Sequence, residues 1–373
     1  MKIAVISNGA QSLLNFRGPL MAEMIRRGHE VLAFAPDHNA QTRRDLHELG
    51  VQPLDFAMAR SGTGMVRELG SILELRRILR HHRPDVSFTY FLKPVIYGTI
   101  AAWLAGVGRR YGLIAGLGFA FTDGDAASGR KRKLLQAVVT AIARFSFRRI
   151  DRLMFQNTDD LKEFVARRIV NPKKAALAGA TGVDMETWRE CPLPEGPITF
   201  LLVARLLRDK GVGEYAKAAR ILRATHPHAR FLLLGGIDDN LAAFTRAEVE
   251  EWVAEGLLEW PGQVPVRPWL AQCHVFVLPS YYREGVPRST QEAMAMGRPV
   301  ITTKLPGCRE TIQDGVNGFV VPPRDPASLA TAMQRFMDNP DLMAPMGRES
   351  RRMAEERFDV HQLNRKLLNL MDM

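Results

Sequence analysis

The chain is 373 residues long, enough for two domains of ordinary size, and its 46% hydrophobic residues can build sizeable cores. No apolar run reaches the roughly 18–20 residues of a membrane-spanning helix, and the three cysteines (Cys191, Cys273, Cys308) form no C-x-x-C pair, which fits a reducing cytoplasm rather than a disulfide framework. A formal net charge of +11 asks for an anionic partner, namely a phosphorylated substrate, an anionic membrane surface or nucleic acid; with no zinc finger or RNP module, nucleic acid ranks last.

Lys2 to Ser7 reads as a β-branched strand, too quickly polar for a signal peptide. It leads into the loop Asn8-Gly9-Ala10, an amphipathic helix from about Arg17 to Arg27 and a strand from His29 to Ala35. This is the start of a doubly wound sheet, and without G-x-G-x-x-G a dinucleotide reading is poor. Helical periodicity returns over Met65 to His82, a strand over Ser87 to Tyr90, a helix over Val95 to Ala105 and a strand over Tyr111 to Ala115. The segment Gly129 to Arg152 carries Arg130, Lys131, Arg132 and Lys133, then Arg144, Arg148, Arg149 and Arg152 among Val138, Val139, Ile142, Phe145 and Ile150. Such a basic amphipathic helix reads either as a membrane-surface element or as a helix covering the sheet with its charged ends in water.

Cys191 to Pro197 is rich in Pro and Gly and marks a linker. The expected domains are residues 1–188, residues 189–354 and a helical tail over 355–373. Strand and helix alternate again after Ile198, so the second domain is also a parallel α/β sheet. Its first strand runs into Arg205 and Lys210, an Arg-x4-Lys pair that could clamp a diphosphate or lie in a solvated loop.

The richest stretch is Val275 to Val321. An apolar strand ends at Pro279-Ser280, followed by Glu284, Gly285, Val286 and Pro287 and a helix through Glu292, stopped by Gly297 and Pro299. Backbone amides of Gly285 to Arg288 at a helix N-terminus suit a phosphate, and Gly285 permits close approach. Glu284 and Glu292 suit sugar hydroxyls; taken singly, each reads equally as a cap acid or a solvated helix residue.

Taken together, Glu284 and Glu292 at E-x7-E, Ala293, Ala295, Gly297, Pro299 and Val300, then Pro306-Gly307, Glu310, Asp314-Gly315 and Asn317-Gly318 resemble the donor-site signature of the retaining glycosyltransferases of family 4. The stretches ARLLRDKGVGEY, FLLLGG, FLKPVIYGTIAA and GLGFAF are similar to the subgroup that builds bacterial glycans on undecaprenyl diphosphate, capsule and O-antigen transferases among them. The resemblance implies the GT-B fold: two Rossmann-like, doubly wound parallel-sheet domains facing across a cleft, the first for acceptor, the second for donor. The C-terminal helix is expected to return to the first domain. Arg205 and Lys210 are expected to contact the donor diphosphate and, with Glu284, to be catalytic. Gly285, Val286, Pro287, Arg288, Glu292, Gly235 and Val264 are expected to bind the donor.

The resemblance further implies a nucleoside diphosphate sugar donor, most often UDP-linked, an N-acetylhexosamine or related sugar moved with retention, and a lipid-diphosphate-linked saccharide acceptor; the alternatives are a UDP-sugar epimerase of the same fold or a transferase with a soluble acceptor. With the site's cations supplied by side chains, neither cofactor nor metal is expected, and a bilayer-held acceptor together with the basic segment 129–152 leads to the expectation of a cytoplasmic enzyme lying peripherally on the inner membrane face through that segment. One position departs from the pattern. Many family members carry a His after the strand ending at Ala115, where this chain has Gly116. Asp123-Gly124-Asp125 is a D-x-D that could bind a metal in another glycosyltransferase fold, but it reads here as a polar turn.

Overall fold

The computed structural model describes residues 1–58, 65–117, 130–238, 240 and 242–373. They form two compact units, Met1–Thr181 with His361–Met373, and Gly182–Val360. In the first unit, β1 (Lys2–Ile6), α1 (Ala10–Arg26), β2 (Glu30–Ala35), α2 (Ala40–Glu48), β3 (Gln52–Asp55) and α3 (Met65–His82) come first. After them come β4 (Val86–Tyr90), α4 (Leu92–Ala105), β5 (Arg109–Ile114), α5 (Arg130–Phe147), β6 (Arg152–Phe155), α6 (Thr158–Ala166) and β7 (Ala175–Leu177). The strands pair in parallel in the order β3-β2-β1-β4-β5-β6-β7. Helices on both faces explain why the strands are near-continuous apolar runs. Ile3 and Val5 pack with Leu13, Met21 and Met24 of α1, while Ala4 and Ile6 pack with Leu75 and Leu79 of α3.

The second unit holds β8 (Thr199–Val203), α7 (Val212–Arg223), β9 (Arg230–Leu234), α8 (Arg246–Ala254), β10 (Glu259–Gly262) and α9 (Arg267–Ala271). Then follow β11 (Val275–Leu278), α10 (Arg288–Ala295), β12 (Val300–Thr303), β13 (Gly318–Val321), α11 (Pro326–Asp338) and α12 (Met343–Arg357), with α13 (Val360–Leu370) last. This parallel sheet has the order β10-β9-β8-β11-β12-β13. Side chains alternate between two cores, as the period of two requires: Phe200, Leu202, Val275 and Val277 on one face, Leu201, Phe276 and Leu278 on the other. In both sheets the order reverses direction beside the first strand, between β1 and β4 and between β8 and β11. Ligands of such sheets bind outside the carboxyl ends of the strands at this reversal.

Three expectations need correction. Helix α1 starts at Ala10 rather than near Arg17 and runs through Pro19. An internal Pro costs about 3 kcal/mol, but Leu13, Leu20 and Met21 are fully buried, each contributing about 1.5–3 kcal/mol. Arg17 itself is buried, its guanidinium 5.1 Å from the Tyr90 ring and 5.9 Å from that of Phe88. Next, residues 355–373 are two helices rather than one. Val183 bridges Phe358 and Val360, with Val183 N–H donating to Phe358 O at 2.8 Å and Val360 N–H to Val183 O at 3.1 Å. That exchange breaks the ladder between α12 and α13; beyond it, Leu367, Leu368 and Met371 join the core around Ile3 and Val5. Finally, residues 182–188 group with the second unit instead of the first. Gly182 N–H donates to Gln291 Oε1 at 3.0 Å, and the Arg351 guanidinium donates to Trp188 O at 2.9 Å.

Candidate active site

The second unit brings its sequence-predicted residues to the reversal between β8 and β11. After β8 the chain makes a short turn over Arg208–Lys210 and enters α7 at Gly211. After β11 it runs from Pro279 to Pro287 and enters α10 at Arg288. The two connections are clipped together at the Asp209 carbonyl, which accepts from Tyr281 N–H at 2.8 Å and Tyr282 N–H at 2.9 Å. Two glycines make the approach possible. A Cβ on Gly211 would lie 2.3 Å from Pro279 O, and one on Gly307 2.2 Å from Gly285 O; both have positive φ. The Gly of the P-G-x-x-E motif is therefore there to let the Glu284–Gly285 backbone pass.

Lys210 Nζ forms an ion pair with Glu284 Oε1, and both side chains are nearly buried. The Ser280 hydroxyl donates to the same carboxylate oxygen at 3.0 Å. Lys210 Nζ also stands 4.7 Å from the centre of the Tyr282 ring. Arg205 is half exposed and pairs with Asp238 at 3.1 Å. Burial pushes the Asp209 carboxyl up, opposed by the Lys210 charge and reinforced by Glu284. Two cations and two carboxylates therefore share the carboxyl ends of β8 and β11.

Helix α10 points its N-terminus at the same place. Gly285, Val286 and Pro287 form its approach and are buried. No side chain caps it at Pro287, and a helix N-terminus of this kind attracts phosphate. Gln291 braces the entry, its side-chain amide donating to Val286 O at 3.0 Å. One helical turn on, Arg288 donates to Glu292 at 2.9 Å. Burial, against the opposing Arg288 charge, pushes the Glu292 carboxyl up to about 6.

The remaining positions differ in kind. Gly235 follows β9, its N–H donating to Gly262 O at 3.0 Å and its carbonyl accepting from the Trp260 indole at 2.9 Å, and a Cβ there would meet Ala204 O at 1.9 Å. It shapes the exit of β8, with both its backbone groups occupied. Val264 follows the edge strand β10 and packs against the Leu201 and Phe276 side of the sheet. Asn317 of the D-G-x-N-G motif folds its own loop, accepting from Gln313 N–H at 2.7 Å and donating to Thr311 O at 3.1 Å. Asp123 and Asp125 lie outside the described residues. Among the described residues no group of three or more His, Cys, Asp and Glu could hold a metal ion.

Sequence reasoning missed Ser280, Tyr282 and Asp209 in the second unit. It also missed a polar cluster at the reversal in the first unit. There the hydroxyls of Ser7 and Ser12 meet at 2.6 Å, and Ser12 and Tyr90 at 2.9 Å, beside Phe91 with φ 69°. Lys93 in the first turn of α4 pairs at 2.6 Å with the buried Glu68 of α3. The one available signal was position, since Ser7 and Tyr90 each sit where a strand gives way to a helix.

A family model described as Glycosyl transferases group 1 matches residues 197–339, and one described as Glycosyl transferase 4-like domain matches residues 17–179. The N,N'-diacetylbacillosaminyl-diphospho-undecaprenol alpha-1,3-N-acetylgalactosaminyltransferase of Campylobacter jejuni is 25% identical, covering 100% of this chain and 98% of its own. The UDP-Gal:alpha-D-GlcNAc-diphosphoundecaprenol alpha-1,3-galactosyltransferase of Escherichia coli is 25% identical over 74% of this chain and 72% of its own. Among solved structures, Anabaena HepE in complex with UDP and glucose superposes with a TM-score of 0.76 at 17% identity, covering 100% of this chain and 99% of that one. Sucrose-phosphate synthase from Thermosynechococcus elongatus gives 0.78 at 18% identity, covering 99% and 98%. At these identities the structural likeness speaks for the fold.

Proposed function

The chain belongs to the group 1 glycosyltransferases of the GT-B fold, and from that membership we propose that it transfers a sugar from a UDP-sugar, with retention, to an undecaprenyl-diphosphate-linked saccharide in bacterial surface-glycan assembly. The observation that carries this reading is the convergence of Arg205, Lys210, Glu284 and the α10 N-terminus at the β8/β11 reversal. The full-length likeness to a transferase named for an undecaprenol-linked acceptor supports the acceptor class. An N-acetylhexosamine is the proposed sugar.

In the proposed reaction the bond from the sugar's anomeric carbon to the diphosphate oxygen breaks, and its electron pair leaves with the diphosphate. An acceptor hydroxyl attacks the same face of that carbon, and its proton passes to the departing phosphate oxygen. Lys210 and Arg205 stabilise the charge that grows on the leaving group, the kind of preorganised electrostatic contribution that is usually largest. Gly285 to Arg288 receive the phosphates at the helix N-terminus, and Glu292 accepts from a ribose or sugar hydroxyl. Gly235 and Val264 border the nucleotide from the β9 and β10 side. The site's positive charge is carried by side chains, so no metal or other cofactor is called on.

The acceptor remains in the bilayer, so we place the enzyme peripherally on the inner face of the cytoplasmic membrane through residues 129–152. No helix among the described residues is long and apolar enough to cross a membrane. The side chains of Arg130 to Lys133 lie outside the described part of α5. In its second half, Ala143 and Phe147 are buried, and Val139 and Ile142 pack against the cores of the first unit. Among the described side chains of α5, these four lie against the first unit's cores while Phe145 is exposed, and on this reading membrane attraction rests on charge. The test of the whole reading incubates a panel of UDP-sugars with and without a polyprenyl-diphosphate-linked saccharide, scoring UDP release, lipid product and product anomer. Acceptor-dependent release with an axial product supports it; release without glycolipid, or an inverted product, overturns it.

A further inference from the structure

Nothing in the donor signature accounts for Tyr282, which lies between the two cations of the site. Its ring face is turned to the Lys210 ammonium at 4.7 Å. Burial pushes its phenol up to about 12, opposed by the nearby Arg205 guanidinium and reinforced by the Glu284 and Asp209 charges. The Tyr282 backbone is fixed as well, its N–H donating to Asp209 O at 2.9 Å and its carbonyl accepting from Glu284 N–H at 2.8 Å. One residue thus holds the Lys210 ammonium over its ring and lies within the influence of the Arg205 charge, while its main chain is bound to the turn that carries Lys210 and to the start of the Glu284 loop.

We propose that Tyr282 is the positioning residue of the diphosphate clamp, setting the separation of Lys210 and Arg205 through its ring face and its hydroxyl. An aromatic ring suits this task because it attracts an ammonium without offering a charge that competes with phosphate. A further carboxylate in that place would add to the negative charge that Glu284 and Asp238 already set against the two cations. The phenol stays neutral across the working pH range, so its hydroxyl orients Arg205 without discharging it.

This proposal rests on the reading of Arg205 and Lys210 as the diphosphate contacts, and the test separates the two. Calorimetric binding of UDP, GDP and ADP is measured for wild type and for Tyr282→Leu, Tyr282→Phe, Lys210→Met, Arg205→Ala and the double variants Tyr282→Leu/Lys210→Met and Tyr282→Phe/Arg205→Ala. Thermal unfolding of each variant is recorded alongside. For the tightest nucleotide, Tyr282→Leu weakens binding roughly 3- to 30-fold. That loss shrinks to the smaller one of Tyr282→Phe when Lys210 is already Met, and the loss in Tyr282→Phe disappears when Arg205 is already Ala. Phe at 282 retains the part that depends on Lys210. If the losses are instead fully additive in the double variants, or track thermal stability alone, Tyr282 is structural and the proposal fails while the clamp stands. Should Lys210→Met and Arg205→Ala bind like wild type, or no nucleoside diphosphate bind at all, the clamp falls and Tyr282 with it.

Discussion

Replacing Lys210 by Met keeps the side chain's length and removes its charge, at the point where a pair of nearly buried groups meets. Lys210 is 13% exposed and Glu284 10% exposed. Two effects follow, and they can be separated. The lost charge near the leaving diphosphate raises the barrier by about 2–4 kcal/mol, a fall in turnover of roughly 30- to 1,000-fold. The second effect is on folding. Glu284 loses its ammonium partner while the Ser280 hydroxyl stays at 3.0 Å on the oxygen that Lys210 had shared, and a carboxylate stripped of its counter-charge at this partly solvated depth costs about 1–3 kcal/mol. Adding Glu284→Gln to Lys210→Met removes the stranded charge, so the double variant regains most of the stability but none of the turnover. UDP release from the UDP-sugar with glycolipid acceptor reads the first effect, and urea unfolding reads the second. Turnover of Lys210→Met within threefold of wild type would falsify the charge argument. A stability loss that persists in the double variant would show that the ion pair is not its source.

Arg205→Ala should lose turnover by a similar factor but leave the urea midpoint within error, because its half-exposed pair with Asp238 is worth about 0–1 kcal/mol; a large midpoint shift would contradict this. Glu292 titrates in the opposite sense from an ordinary paired carboxylate. With its folded value raised from 4.5 to about 6, the native state holds the proton more tightly. Stability therefore falls as pH rises from 4.5 to 6 and is level beyond, by about 2 kcal/mol in all. In Glu292→Gln the stability difference between pH 4.5 and 6.5 should shrink by about 1.5 kcal/mol of that, and an unchanged pH profile refutes the assignment. EDTA should leave transfer activity intact; a loss restored by magnesium or manganese would bring Asp123 and Asp125 back as ligands. The variant with Arg130, Lys131, Arg132 and Lys133 changed to Ser should lose sedimentation with anionic vesicles, each cation contributing about 1 kcal/mol at low salt, and the wild type should lose it at high salt. Equal binding to neutral vesicles would point to insertion instead.

The strands of both sheets were legible because parallel strands covered on both faces are short apolar runs punctuated by Gly and Pro. Val275–Leu278 and Val300–Thr303 are of this kind. Helix α1 was misread at its start because Gly18 and Pro19 are local signals, whereas the burial of Leu13 and Met21 against the sheet is not. Helix α5 shows another limit. A 3.6-residue apolar period says that one face meets something apolar, and cannot say whether that is lipid or the chain's own core. Ala143 and Phe147 meet the core.

Within the site, what was legible lay on contiguous motifs, and what was missed arises from adjacency in space. Ser12 and Tyr90 are 78 residues apart in the chain and touch only because β1 and β4 are neighbours. The same holds for Lys210 and Glu284, each readable alone and neither readable as the other's partner. Their pairing changes what the two residues mean. An ammonium as enclosed as Lys210 needs a counter-charge to offset its desolvation before any donor arrives. Glu284 supplies it, with Ser280 holding the same oxygen. On the clamp reading, the arriving diphosphate then takes up a cation already desolvated and in place, so little reorganisation remains for the moment of reaction. Glu284 belongs to the diphosphate machinery through Lys210 even though, as an anion, it cannot bind phosphate itself.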